Sequence, residues 1–296
     1  MSYLSLSRRW LQVLAVVLPL VAFAPHSRAQ EKPYFVTYSH DLEEPGNLDV
    51  ETKTALAQPG GSNRYGATAL ELEYGVRAWW TSELYLDGQA TSQDSTIFTG
   101  FRIENRVRPL MRDHVINPVL YVEYENTSGA DKTLLEVVGH DGQSDLAEPN
   151  GDARHEHQHE AELKLILSSN IRDWNVSENF ISEKNLGHEP WEFGYAFGAS
   201  RPLRLLASPH PCAFCAENFM AGIEMYGGLG DRHASGLHDT SQYIGPTLNW
   251  ATSYGTTFTI STQFGLNDYS IPRLYRFGIS YEIPQFFSRF HKDGAR

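Results

Sequence analysis

The chain has 296 residues, a formal net charge of −12 and 41% hydrophobic residues, with a mean hydropathy of −0.39. This acidic balance argues against nucleic acid as a partner, and so low a hydropathy by itself suggests a soluble protein, with no segment beyond the first 29 residues approaching the roughly 18 to 20 consecutive apolar residues of a membrane-spanning helix. A barrel is not excluded, because only alternate residues of each of its strands meet lipid.

Arg8 and Arg9 precede an apolar run from Leu11 to Ala24, and Ser27-Arg28-Ala29 places small residues where a signal peptidase needs them. Residues 1–29 therefore read as a signal peptide and residues 30–45 as an N-terminal periplasmic segment. Residues 46–284 read as a barrel and residues 285–296 as a C-terminal tail. Removing the signal also removes its three arginines and makes the exported chain more acidic.

From Leu48 onward the chain alternates apolar and polar residues, a period of two that means strand. After a weak first strand, Leu48 to Ala57, the apolar faces run Leu70, Leu72, Tyr74, Val76; Leu84, Leu86; Ile97, Phe101, Ile103; and Leu120, Val122, Tyr124. The second half continues with Leu163, Leu165, Leu167; Trp174, Val176, Phe180; the run Trp191 to Ser200; and Phe219, Ala221, Ile223, Met225. It closes with Ile244, Leu248, Trp250; Phe258, Ile260, Phe264; and Tyr275, Phe277, Ile279, Tyr281, Ile283. The fold class expected is an all-β, transmembrane, antiparallel up-and-down β-barrel of about twelve strands in a Gram-negative-type outer membrane, with membrane lipid as its first partner.

With both termini in the periplasm, tight turns such as Ser169 to Arg172 and Ser253 to Gly255 fall on the periplasmic side. The long polar connections, above all Thr127 to Glu156, fall outside. Arg201 to Glu217 is a long periplasmic exception. Trp79, Trp80, Trp174, Trp250 and Tyr254 cluster near the tight turns, where an aromatic girdle meets the headgroups. Glu178 breaks the pattern, since alternation points it at lipid; a bulge or a rim position would relieve it.

Arg276-Phe277-Gly278-Ile279-Ser280-Tyr281-Glu282-Ile283 is similar to the terminal signal of outer-membrane barrels, which implies recognition by the barrel-assembly machinery. Tyr121-Val122-Glu123-Tyr124, Glu162 to Ser168, Trp191-Glu192-Phe193-Gly194-Tyr195 and Gly245-Pro246-Thr247-Leu248 are phrases of barrel construction. Through them the chain resembles uncharacterised transporter-like outer-membrane barrels, loosely those labelled for a phenol-degradation pathway. The resemblance covers roughly residues 46–283. It implies a channel or transporter and carries over no functional residues.

Three groups of residues bear on chemistry. His155-Glu156-His157-Gln158-His159 matches H-E-x-x-H, which makes a zinc protease only on a helix. As a strand it sets His155, His157 and His159 on one face as weak metal candidates. Cys212 and Cys215, the only cysteines, are expected to form a disulfide in an exported protein. No nucleophile elbow or phosphate loop is present, so neither a catalytic residue nor a cofactor is expected.

The third group is the polar face. Glu71, Glu73, Glu83, Asp87, Glu104, Glu123, Glu125, Glu160, Glu162, Glu192, Glu224 and Glu282 point inward with only Arg102, Arg106, Lys164 and Arg276. Ionised groups need water or partners, so the expected interior is wet, tightly paired, or both. The expected function is a passive pore or small-solute transporter with an acidic, cation-preferring lumen. The alternative is a closed barrel that serves as a membrane scaffold or docks a periplasmic protein.

Overall fold

The computed structural model describes residues 32–288 apart from 141, 188 and 211. The expected signal peptide and most of the expected tail lie outside the described residues. The alternating stretches form twelve strands: β1 Leu48–Ala57, β2 Tyr65–Arg77, β3 Trp80–Thr91, β4 Thr96–Val107, β5 Asn117–Ser128, β6 His157–Ile171, β7 Trp174–Asn185, β8 Trp191–Pro202, β9 Phe219–Asp231, β10 Gln242–Ala251, β11 Thr256–Gly265 and β12 Arg273–Ile283. Each strand pairs antiparallel with its sequence neighbours. The last closes on the first, from Leu48 opposite Ile283 to Ala57 opposite Leu274. Closure removes the sheet edges, so the backbone can be satisfied strand to strand without water.

Leu84, Leu86, Ile103, Leu120, Val122, Leu163, Leu165, Phe180, Ile223, Ile260 and Phe277 are all exposed on the outer surface. A closed barrel with this apolar belt is an outer-membrane protein. No described helix is long and apolar enough to cross a membrane. Alternation misreads one position. The register of β3 with β4 shifts at Asp87/Gly88, with Thr99 left unpaired opposite, and the extra residue flips the face beyond it. Phe98 is therefore the exposed side chain and Ile97 is half-buried. No such shift rescues Glu178. It pairs in register with Leu167 and Phe197 and stays exposed on the outer surface.

The connections alternate between ends as the sequence implies. Arg172 and Asp173, both at positive φ, turn β6 into β7 in the two-residue form that suits strand twist. Trp79 and Trp80 stack at the turn before β3. Cys212 and Cys215 are disulfide-bonded in the long β8–β9 connection. That connection folds against the barrel wall: Phe214 stacks on Trp250 at 4.8 Å, and the Trp250 indole N–H donates to the Ala213 carbonyl at 2.8 Å.

The lumen is filled by two inserts. Residues 32–44, read from the sequence as periplasmic, enter the barrel: Tyr34, Phe35, Val36, Thr37, Ser39 and His40 are buried. They form a U, in which Lys32 returns to Asp41 at 3.2 Å. The second insert is the first part of the β5–β6 connection, where Lys132, Thr133, Val137 and Val138 are buried. The inserts share one apolar cluster, in which Phe35 and Val36 join Val137 and Val138 with Tyr226, Tyr243 and Leu274 of the wall.

Candidate functional site: the lumen

The inward positions of β1 to β6 build one ion-pair network. Arg106 on β4 lies 2.6 Å from Glu73 and 2.8 Å from Glu104, and also pairs with Glu83. Arg102, two inward positions away, donates twice to Asp87 at 3.0 and 3.1 Å and sits 3.5 Å from Glu123. Lys53 on β1 reaches Glu71 at 2.7 Å. Lys164 on β6 reaches Glu162 at 2.8 Å and Glu136 of the β5–β6 connection at 2.5 Å. The period of two places these charges on one face, and antiparallel register lines up their rows: Glu71 faces Tyr85, Glu83 faces Glu104, and Glu123 faces Glu162.

A tyrosine layer ties the network together at mid-height. The Tyr85 hydroxyl donates to Glu104 at 2.6 Å and lies 3.0 Å from the Tyr38 hydroxyl, while Tyr121 donates to Glu123 at 2.9 Å. Arg102 lies over the Tyr85 ring at 4.3 Å and the Lys164 ammonium over the Tyr121 ring at 4.2 Å. Cation–π contacts are stronger where water is excluded. The alternation of charge and aromatic faces therefore lets a dry wall hold ionised groups.

The wall from β7 to β12 differs. Ser177, Asn179, Ala196, Ser200, Thr247 and Asn249 are buried there, and its buried charges among the described residues are Glu224 and Arg276 with Glu183 at the β7 end. The N-terminal insert packs into this smaller lining. A side chain at Gly198 would meet the Tyr34 ring at 2.6 Å, so only glycine admits the insert at that point. The Glu224 carboxylate accepts the backbone N–H of Val36 and of Thr37, each at 2.7 Å, and that of Phe35 at 3.2 Å. Three successive N–H groups form a nest for an anion. The anion here is a side chain of the wall, and this draws the segment inward. Opposite, Arg276 donates to the Tyr226 hydroxyl at 2.9 Å and to the Leu134 carbonyl of the second insert.

Two cavities flank the inserts. The outer one, about 220 Å³, is lined by Glu125, Asp131, Glu136, Asp145, Glu160, Glu183, Glu189 and Glu192, with Arg102 the only basic group among the described lining residues. The periplasmic one, about 360 Å³, is lined by Lys32, Glu43, Glu51, Lys53, Glu73 and Arg108 among others. Glu43, at that mouth and outside the strands, has its carboxyl pushed up to about 7 by burial and by the neighbouring Glu282 charge.

No family model matches the chain, and no curated protein does. Among solved structures it is similar to a COG4313 outer membrane channel from Pseudomonas putida F1, 11% identical over 86% of this chain and 99% of that one, with a TM-score of 0.49. The NanC porin is 12% identical over 80% and 100% of the two chains, with a TM-score of 0.48. The KdgM porin is 8% identical over 79% and 98%, also at 0.48. These are likenesses of distant barrels, and the functional argument below rests on this chain's own residues.

The expected lumen residues separate into groups. Glu71, Glu73, Glu83, Arg102, Glu104, Arg106, Glu123, Glu162 and Lys164 converge on the first wall, whereas Glu224 and Arg276 stand apart and hold the inserts. Glu192 lines the outer cavity, and Glu282 sits at the periplasmic end, paired with Asn47. Lys53, Glu136 and Tyr38 were missed. Lys53 lies in alternation with Asp49 and Glu51 and was legible there, but nothing local marks Glu136 or Tyr38 as an inward group. His155 falls in a turn and Glu156 in coil, while His157 and His159 open β6 on its exposed face. The H-E-x-x-H geometry of a zinc protease needs one helix, and these residues do not form it. His159 instead lies 3.0 Å from the Tyr124 hydroxyl.

Proposed function

We propose that this chain is a passive outer-membrane pore or transporter for small cationic solutes, with its lumen narrowed by two segments of its own chain. The acidic outer cavity carries this reading: among its described lining residues eight carboxylates face one guanidinium, and such a ring concentrates cations and repels anions. The resemblance to phenol-degradation-type barrels enters only at this level, as a transporter whose solute is open. β12, which pairs with both β1 and β11, is the strand offered to the assembly machinery.

One observation favours a second reading. The two inserts pack into one cluster at mid-height, as a closed scaffold barrel would require, and a periplasmic partner would then meet the cysteine-clasped connection. Planar-bilayer recording separates the two. Under the pore reading the protein conducts with cation preference, and deleting residues 32–44 enlarges the conductance. Anion preference sinks the acidic-lumen reading, and silence in both proteins favours the scaffold.

A further inference from the structure

Four carboxylates from four different elements converge at the inner end of the outer cavity. Glu125 on β5, Glu162 on β6, Glu183 on β7 and Glu136 on the β5–β6 insert each bring one oxygen to within 4.8 Å of the other three. The cations at hand are few and largely committed. Lys164 takes one oxygen each of Glu162 and Glu136. Arg102 is spent on Asp87, with a 3.5 Å approach to Glu123 and a 4.0 Å approach to Glu136.

A second observation points to a missing ligand. Glu125 is only 7% exposed and Glu162 is 0% exposed, yet Oε1 of Glu125 and Oε2 of Glu162 are sealed from solvent and accept no hydrogen bond. A buried carboxylate oxygen without a donor is strongly disfavoured unless a cation or a proton takes its place. The outer cavity, lined by Glu125, Glu136 and Glu183, gives a route in from outside.

We propose that these four carboxylates form a site for one divalent cation, calcium by preference, which ties the β5–β6 insert to the wall of β5, β6 and β7. The donors are all hard oxygens, with no nitrogen or sulfur to favour zinc or copper. Calcium–oxygen bonds of about 2.3 to 2.6 Å on opposite sides of an ion span the oxygen separations seen here. Magnesium, at about 2.0 to 2.1 Å with strict octahedral demands, would require the four groups to contract. Because Glu136 is the one ligand on the insert, the cation would act as a latch. The site stands on its own, whether or not the barrel conducts.

The test uses full-length barrel, refolded in detergent so that no lipopolysaccharide brings its own calcium, stripped with chelator and titrated with calcium by calorimetry. One saturable site per chain is expected. Glu125→Gln combined with Glu162→Gln should weaken it at least about tenfold, as should Glu183→Gln alone, and magnesium should bind at least about tenfold more weakly than calcium. Glu156→Gln, exposed and outside the cluster, should leave binding unchanged, and heat-modifiable gel migration reports that each variant is folded. No saturable uptake by about 10 mM calcium, or uptake unchanged in the folded variants, overturns the site and leaves shared protons as what the carboxylates hold. Equal affinity for magnesium overturns the calcium preference.

Discussion

The two halves of the barrel wall obey the same alternation outside and solve the interior in opposite ways. On β1 to β6, long acidic and basic side chains pair into a network along the wall, with tyrosines between them. On β7 to β12, small side chains leave room, and the chain fills it with its own backbone, fastened to Glu224. A side-chain network is written into the strands that carry it. A backbone plug is written as an absence, in residues such as Gly198 and Gly194 whose meaning appears only once Tyr34 or Val138 has arrived.

The comparison is broken most severely at Arg106. Arg106→Ala leaves Glu73, Glu83 and Glu104 without their shared guanidinium, and uncompensated buried charge costs about 3 to 5 kcal/mol. The stability of the refolded barrel in a urea titration should fall by that amount. A loss below about 1 kcal/mol would mean that water already screens this wall as it screens surface pairs.

The plugged wall should respond in its contents rather than in its frame. Glu224→Ala orphans the N–H groups of Phe35, Val36 and Thr37, and hydrogen bonds to a charged acceptor each contribute about 1.5 to 3 kcal/mol net of the exchange with water. The expected result is release of residues 32–44, seen as rapid labelling of a cysteine placed at Thr37, with barrel melting little changed. Unfolding of the whole barrel instead would show that the plug is part of the frame.

How much of this could be read beforehand follows the same division. Strand number, faces and connection lengths were legible because lipid enforces a strict period on one side of every strand. The charged wall was legible for a related reason: charges opposite an apolar face have only the lumen to enter. Its chemistry was only half legible, because Glu136 and Tyr38 come from segments with no period at all. The N-terminal insert was not legible, since a polar stretch such as Thr37 to Glu44 looks like a solvated leader until the Glu224 nest pulls its backbone inside. Phe98 shows the remaining limit, as a single bulge reverses which face a residue occupies.

The mildest test asks whether the plug responds to the medium at its mouth. Glu43 holds its proton up to about 7 when docked, because of burial and the nearby Glu282 charge, whereas a released glutamate ionises near 4.3. The docked state therefore binds the proton more tightly. Docking should strengthen as pH falls through 7 and level off below the released value. His40, whose imidazole burial holds below its ordinary range, works against this once pH drops past about 6.5, its ordinary value. Asp41, held low by Lys32 against the opposing effect of burial, matters only in stronger acid. The cleanest window is thus pH 8 to 6.5, and the useful quantity is a ratio: labelling at Thr37→Cys, divided at each pH by that of a free thiol because the reactive thiolate itself declines as pH falls, should slow across that window in the parent chain and stay flat when Glu43→Gln is added. If both chains slow equally, the proton is held elsewhere, and the plug is fastened by Glu224 without help from its mouth.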